Sequence, residues 1–136
     1  MAEAKMAQGP AAQRPLSPHL QVYTLLINTV MSIVHRMTGA ALYFGTLLLA
    51  WWLIAVATDP GALDTVNAFF NSWIGLFVLF GYTWALLHHM AGGVRHFIWD
   101  TGRGFDLETV DKMCWVSAIF SAAATLAIWL GVILFS

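Results

Sequence analysis

The chain has 136 residues, of which 60% are hydrophobic and only 10% are charged. Its net charge of −1 at pH 7 gives no reason to propose a nucleic acid partner, and its length leaves room for a single domain. Three stretches carry no Asp, Glu, Lys, Arg or His: residues 37–57, 65–87 and 113–136. Each has about the ~20 residues needed to cross the hydrocarbon core of a bilayer. The sequence therefore predicts an all-α membrane protein with three transmembrane helices, at approximately 29–57, 64–98 and 112–135.

The distribution of positive charge predicts how these spans are oriented. All six Lys and Arg residues lie on one side: Lys5, Arg14, Arg36, Arg95, Arg103 and Lys112. The first three come before the apolar part of the first span, and the others surround the loop between the second and third spans. Because cytoplasmic loops carry an excess of Lys and Arg, we expect the N-terminus inside and the C-terminus outside. Residues 1–28 then form an inner segment, and residues 29–136 form the membrane anchor.

The inner end of the first span carries a polar stripe. Ser32, His35, Arg36 and Gly39 are separated by three, four and seven residues, so they share one face of a helix. Ionisable groups at membrane depth are costly and usually functional. Arg36 could also be a boundary anchor that extends to lipid headgroups, which on its own is the simpler interpretation.

The inner end of the second span carries a second group of polar residues. His89, Gly92, Gly93 and His96 fall on one helix face, so two histidines flank a glycine notch. Such a notch lets a flat ligand lie close to the backbone, and an imidazole can bind a metal at the centre of that ligand. The pattern therefore suggests a haem site. The glycines could equally serve close helix packing, and His89 could merely bond to a helix carbonyl.

The predicted topology brings the two groups to the same level. His89 lies seven residues before His96, about 10 Å deeper at 1.5 Å per residue, which is comparable to the distance from a haem iron to its propionates. A haem held by His89 would then direct its carboxylates towards cationic and hydrogen-bonding side chains near the surface. These are His35, Arg36, Arg95 and His96. Polar groups left facing lipid are costly, so a partner subunit is also expected.

Two long signatures suggest a family. Arg14-Pro15-Leu16 followed by residues 32–38, and then residues 89–102, resemble the signatures of the cytochrome b subunit of succinate dehydrogenase (succinate:quinone oxidoreductase, respiratory complex II). The resemblance implies a membrane anchor that binds haem b and ubiquinone. It also implies three partners besides the lipid bilayer: a second small membrane-anchor subunit, an iron–sulfur subunit and a flavoprotein subunit.

The resemblance also implies roles for individual residues. His89 matches the haem-ligating histidine, Ser32 and Arg36 match the quinone site, and His35 matches a histidine near the haem propionates. His88 precedes His89, so the axial ligand could be shifted by one position. Only His89 shares a face with the glycines, which favours it and leaves His88 as a residue that packs against a helix or a partner.

Two other functions remain open from the sequence. One is the anchor of a quinol:fumarate reductase, which runs the reverse reaction, and the other is a non-redox membrane anchor or assembly subunit. The N-terminal residues do not resemble an organellar presequence, so a bacterial inner membrane is favoured over a mitochondrial inner membrane.

Overall fold

A computed structural model describes residues 24–135 of the chain. The Arg14-Pro15-Leu16 signature and most of the predicted inner segment 1–28 lie outside these residues. The described part folds into four helices: α1 (Ile27–Thr58), α2 (Pro60–Phe70), α3 (Trp73–Asp100) and α4 (Leu107–Phe135). Of these, α1, α3 and α4 are long and apolar enough to cross a membrane. The predicted class, an all-α protein with three transmembrane helices, is confirmed.

The sequence Asp59-Pro60 separates α1 from α2. Proline has no backbone N–H and forces the preceding residue into an extended conformation, so the α1 helix cannot continue through it. Asp59 accordingly has φ −159° and ψ 134°. Its carboxylate accepts a hydrogen bond from the backbone N–H of Ala62 at 2.9 Å and so caps α2.

The apolar stretch that the sequence assigns to the second span is broken between α2 and α3. Residues 60–70 form α2, and α3 starts only at Trp73, whereas the predicted second span begins at residue 64. Ser72 caps α3 by accepting a hydrogen bond from the backbone N–H of Gly75 at 3.2 Å. A Cβ atom at Gly75 would lie 2.1 Å from the carbonyl oxygen of Phe69, so glycine permits this close turn. No charged residue marks the break, which is why the stretch looks continuous.

A short loop connects α3 to α4. Gly102 has φ +75°, and its N–H donates to the carbonyl of Trp99 at 2.8 Å, which ends α3. The carboxylate of Asp106 accepts a hydrogen bond from the backbone N–H of Thr109 at 2.9 Å at the start of α4. Hydrogen bonds from Thr109 lower the pKa of this exposed carboxyl below its ordinary value.

Most of the buried polar residues in the described part of the chain lie on α3 and α4. His88 and Arg95 lie seven residues apart on α3, and Ser117, Ser121 and Thr125 recur every four residues on α4. Small residues at this spacing let membrane helices approach closely. By contrast, only 6%, 17% and 11% of the apolar windows of α1, α3 and α4 are buried. Most apolar surface is therefore left for lipid or for partner helices.

Candidate functional site

The α1 and α3 helices meet where each inserts a histidine ring against a glycine of the other. His35 of α1 lies over Gly92, where an added Cβ would come within 2.3 Å of the His35 Nδ1. His89 of α3 lies over Gly39, where an added Cβ would come within 2.9 Å of the His89 Cε1. The two rings stack with centroids 4.0 Å apart and planes 4° apart. Gly92 and Gly39 therefore make room for the rings of His35 and His89, which belong to this chain.

His89 is held by hydrogen bonds to the backbone and a hydroxyl of α1. Its Nδ1 lies 3.1 Å from the carbonyl oxygen of His35 and 3.3 Å from the Oγ1 of Thr38. A carbonyl can only accept a hydrogen bond, so the Nδ1 carries the proton. In the neutral form of such a ring the Nε2 keeps an unshared electron pair, which is a tautomer that can bind a metal.

His88 points away from this contact and towards α4. Its side chain is buried, its Nδ1 lies 3.2 Å from the Oγ of Ser121, and its ring stacks on Trp84. Adjacent residues on a helix are rotated by about 100°, so the two histidines contact different helices. The structure places His88 between α3 and α4, where its Nε2 is buried and has no hydrogen-bond partner among residues 24–135.

Arg95 is a buried cation near the end of α3 that leads into the loop between α3 and α4. Its guanidinium donates to the Sγ of Cys114 at 3.2 Å and lies 5.4 Å from the centre of the Trp99 ring. Its Nε has no hydrogen-bond partner among the described residues. The ion pair found within residues 24–135 joins Lys112 to Glu108 and does not involve Arg95. Arg95 is thus a buried charge without an anionic partner in this part of the chain, which is costly unless an anion binds there.

Two neighbouring cavities open at this end of the bundle and share Ser32 and Arg36. The first has a volume of about 230 Å³. It is lined by Asn28, Ser32, His35, Arg36, Arg95, His96, Trp99 and Cys114. The second, of about 470 Å³, is lined by Asn28, Thr29, Ser32, Arg36, Trp99, Phe105 and Val110. The first is rich in cations and hydrogen-bond donors, and the second combines aromatic rings with a hydroxyl and a guanidinium.

All six predicted site residues lie in this region, although not with the expected spacing in depth. The sequence places His35 near the surface and His89 about 10 Å deeper, but the structure stacks the two rings directly. The reason is the close crossing of α1 and α3 at Gly39 and Gly92. The notch at Gly92 is likewise filled by His35, so it serves helix packing, and no heavy atom lies within 4 Å of a Cβ added at Gly93.

Three residues to which the sequence did not assign a role make polar contacts in this region: Thr38 and Asn28 at the site itself, and Ser121 behind it on α4. Thr38 contacts His89, Asn28 lines both cavities, and Ser121 binds His88. Thr38 and Asn28 follow the helical spacing of the polar stripe on α1, which could have identified them. Ser121 carries no such signal, because a serine in an apolar helix is common in membrane packing.

The arrangement fits the chemistry of a haem with its propionates. His89 offers an unshared pair on Nε2, which lies in the ring plane and has no hydrogen-bond partner among residues 24–135, where only the Nδ1 is bonded. The nearby cavity contains Arg95, whose Nε is buried and unpaired, and His35, whose Nδ1 is also unpaired among residues 24–135. No carboxylate lines this cavity in the described part of the chain, so an anionic group would complete it.

The fold and the site define an integral membrane protein with a histidine- and arginine-lined site at one end of its helices. The sequence model of the family described as "Succinate dehydrogenase/Fumarate reductase transmembrane subunit" matches residues 10–128. The chain therefore belongs to this family.

Proteins named as cytochrome b subunits of succinate dehydrogenase are similar to this chain over most of its length. The cytochrome b556 subunit of Paracoccus denitrificans is 39% identical over 130 residues, which cover 96% of this chain and 98% of that protein. The cytochrome b556 subunit of Rickettsia felis is 39% identical over 117 residues, with 86% and 91% covered. The cytochrome b560 subunit of Chondrus crispus is 33% identical over 104 residues, with 74% and 82% covered.

Proposed function

We propose that this chain is the cytochrome b membrane-anchor subunit of a succinate:quinone oxidoreductase. It binds haem b together with a second small membrane-anchor subunit, and the two hold an iron–sulfur subunit and a flavoprotein subunit at the inner face. The main support is the position of His89: its Nδ1 is hydrogen-bonded to α1, and its ring stacks on His35, which lines a cavity with Arg95 and His96 that carries positive charge and no carboxylate among residues 24–135. The relatives' names favour succinate dehydrogenase over fumarate reductase. A bacterial inner membrane is expected, with a mitochondrial inner membrane as the alternative.

The haem would be held by residues of α1 and α3. His89 would bind the haem iron through its Nε2, and His35, Arg95 and His96 would receive the propionates with hydrogen bonds and positive charge. When bound, haem iron supplies reversible one-electron transfer. The buried guanidinium of Arg95 gains the anionic partner that it lacks among residues 24–135, which stabilises both charges.

The ubiquinone head group would bind in the cavity beside Ser32 and Arg36. The Ser32 hydroxyl donates a hydrogen bond to a quinone carbonyl, and the Arg36 guanidinium stabilises negative charge that develops on the oxygen. The rings of Trp99 and Phe105 line the same cavity and can pack against the quinone ring. These four side chains give the cavity both polar and aromatic groups.

Reduction of a quinone to a quinol needs two electrons and two protons. The electrons come from succinate through the flavoprotein and iron–sulfur subunits. Ser32 and Arg36 are both exposed in the isolated chain, and the cavity that they line lies at the end of the bundle that is expected to be inside. Protons can therefore enter from the aqueous phase on that side, and no proton path across the bilayer is required.

Substituting His88 and His89 one at a time in the assembled complex tests haem ligation. We expect His89→Ala to abolish or strongly change the low-spin haem spectrum, because the axial ligand is lost. We expect His88→Ala to retain that spectrum, because His88 contacts α4. The reduced-minus-oxidised spectrum and the ratio of haem to protein are the measurements. An unchanged spectrum in His89→Ala would reject this ligand and the haem site proposed here.

A further inference from the structure

Thr38 is a buried hydroxyl beside the remote nitrogen of the proposed haem ligand. Thr38 is 3% exposed, and its Oγ1 lies 3.3 Å from the His89 Nδ1. The same Oγ1 donates a hydrogen bond to the carbonyl of His35 at 2.9 Å. That carbonyl also lies 3.1 Å from the His89 Nδ1. Thr38, the His35 carbonyl and the imidazole thus form a closed triangle of polar contacts.

The direction of each hydrogen bond follows from the chemistry of these groups. The Thr38 proton is directed to the His35 carbonyl, so the lone pairs of its Oγ1 remain for His89. Both oxygens near the His89 Nδ1 therefore act as acceptors, and both favour a proton on that nitrogen. With the Nδ1 protonated, the Nε2 is the nitrogen that can bind a metal.

The position of the ring is restricted as well as its tautomer. Gly39 follows Thr38 on α1, and the His89 ring lies so close to it that an added Cβ would be 2.9 Å from the His89 Cε1. On one face the ring stacks against His35. Rotation of the imidazole would break its contacts with Thr38 and the His35 carbonyl at once.

We propose that Thr38 is a positioning residue for haem: together with the His35 carbonyl it fixes the tautomer and orientation of His89 and lowers the reduction potential of the bound haem. Acceptors at the remote nitrogen increase the electron density of an imidazole ligand and stabilise the oxidised metal. This inference rests on the proposed role of His89. It adds that the Thr38 hydroxyl influences how tightly haem is held and the reduction potential of that haem.

The test is a set of substitutions of similar size, made in the whole complex. Thr38→Val removes the hydroxyl with little change in shape, and Thr38→Ser keeps it. Thr46→Val is the matched control, because Thr46 makes the same bond to the carbonyl three residues earlier on α1 but is exposed. The measurements are the haem midpoint potential and the rate of haem transfer to excess apomyoglobin, neither of which requires enzyme activity.

We expect Thr38→Val to raise the midpoint potential and to weaken haem retention, by roughly tenfold or more for loss of a partner that orients a ligand. Thr38→Ser and Thr46→Val should match the unsubstituted complex. An unchanged potential and transfer rate in Thr38→Val would overturn the proposal, and so would an equal shift in Thr46→Val.

One measurement needs no substitution and remains valid if Thr38→Val does not assemble. Electron–nuclear double resonance of the oxidised haem, compared in H2O and D2O, should detect an exchangeable, hydrogen-bonded proton on the remote nitrogen of the ligand from this chain. Absence of that proton would overturn the role of Thr38. The assignment of His89 is tested separately: if His89→Ala loses the haem while Thr38→Val behaves normally, the proposed function stands and this inference fails.

Discussion

His88 and His89 are neighbours in the sequence but have different surroundings. His88 is bound to Ser121 on α4, whereas His89 is bound to the backbone of α1. A helix separates adjacent side chains by about 100°, so one residue faces each neighbouring helix. The sequence could predict which face each histidine occupies, because the spacing to Gly92 and His96 is visible. It could not predict what each ring contacts, since Ser121 lies 33 residues from His88.

Single substitutions of Ser32 and Arg36 test the proposed quinone site. Ser32→Ala and Arg36→Leu should impair succinate–quinone reductase activity and leave succinate oxidation with an artificial dye acceptor largely intact. Loss of a hydrogen bond to an oxygen that gains charge costs roughly 1.5–3 kcal/mol, which is about ten- to a hundredfold in rate. Haem content must be measured in the same sample, because Arg36 also lines the cavity assigned to the propionates. Unchanged quinone reduction in both assembled variants would leave these residues as boundary anchors.

The adjacent glycines Gly92 and Gly93 offer a matched pair for testing the contact of α1 with α3. In Gly92→Ala the new Cβ would lie 2.3 Å from the His35 ring, which is held between His89 and His96. Such overpacking costs typically about 1–3 kcal/mol. We expect a lower thermal midpoint of the purified complex for Gly92→Ala. Gly93→Ala meets no heavy atom within 4 Å and should be neutral or slightly stabilising, because alanine favours helix. Equal midpoints for the two variants would contradict this account of the crossing.

At the scale of helices, hydropathy identified the three spans but not the additional helix. The break before α3 depends on Ser72, which caps the helix, and on Gly75, which allows Phe69 to approach. Both residues lie inside an uncharged run, so composition does not reveal them. The Asp59-Pro60 sequence was a visible signal for the start of α2, since proline is favoured in the first turn of a helix. The uncharged run 65–87 is long enough to be a single span, so the sequence did not indicate that a separate helix ends at Phe70.

The start of α4 should depend on pH through Asp106. Its carboxylate accepts hydrogen bonds from Thr109, so its pKa is lower in the folded protein than in the unfolded chain. The stabilisation is therefore present above the unfolded pKa and is lost as the pH falls through the folded pKa. We expect amide exchange at Thr109, corrected for the intrinsic rate, to accelerate over that acidic range. In Asp106→Asn, which keeps an acceptor without a titrating group, the acceleration should disappear. Persistence in that variant would show that another group is responsible.

For the molecule as a whole, the site and the loop charges lie at the same end of the bundle. The cavities of Ser32 and Arg36 involve the start of α1, the end of α3 and the start of α4. The charge distribution predicts that this end is inside. It is also the end at which a peripheral redox subunit would have to dock to deliver electrons to the proposed quinone cavity. The orientation remains a prediction, because helix packing alone has no reference to the two sides of a membrane.

The second axial ligand of the proposed haem should come from the partner anchor subunit. A macrocycle does not fit between His35 and His89, whose ring centroids are 4.0 Å apart, and His88 faces α4. His96 lies two helical turns from His89 on the same side of α3. No histidine among residues 24–135 can therefore approach the opposite face of a haem on His89. We expect this chain purified alone to lack a full complement of bis-histidine low-spin haem, and the pair of anchor subunits to contain it, as measured by low-temperature electron paramagnetic resonance. Full bis-histidine haem in the isolated chain would refute the intersubunit site.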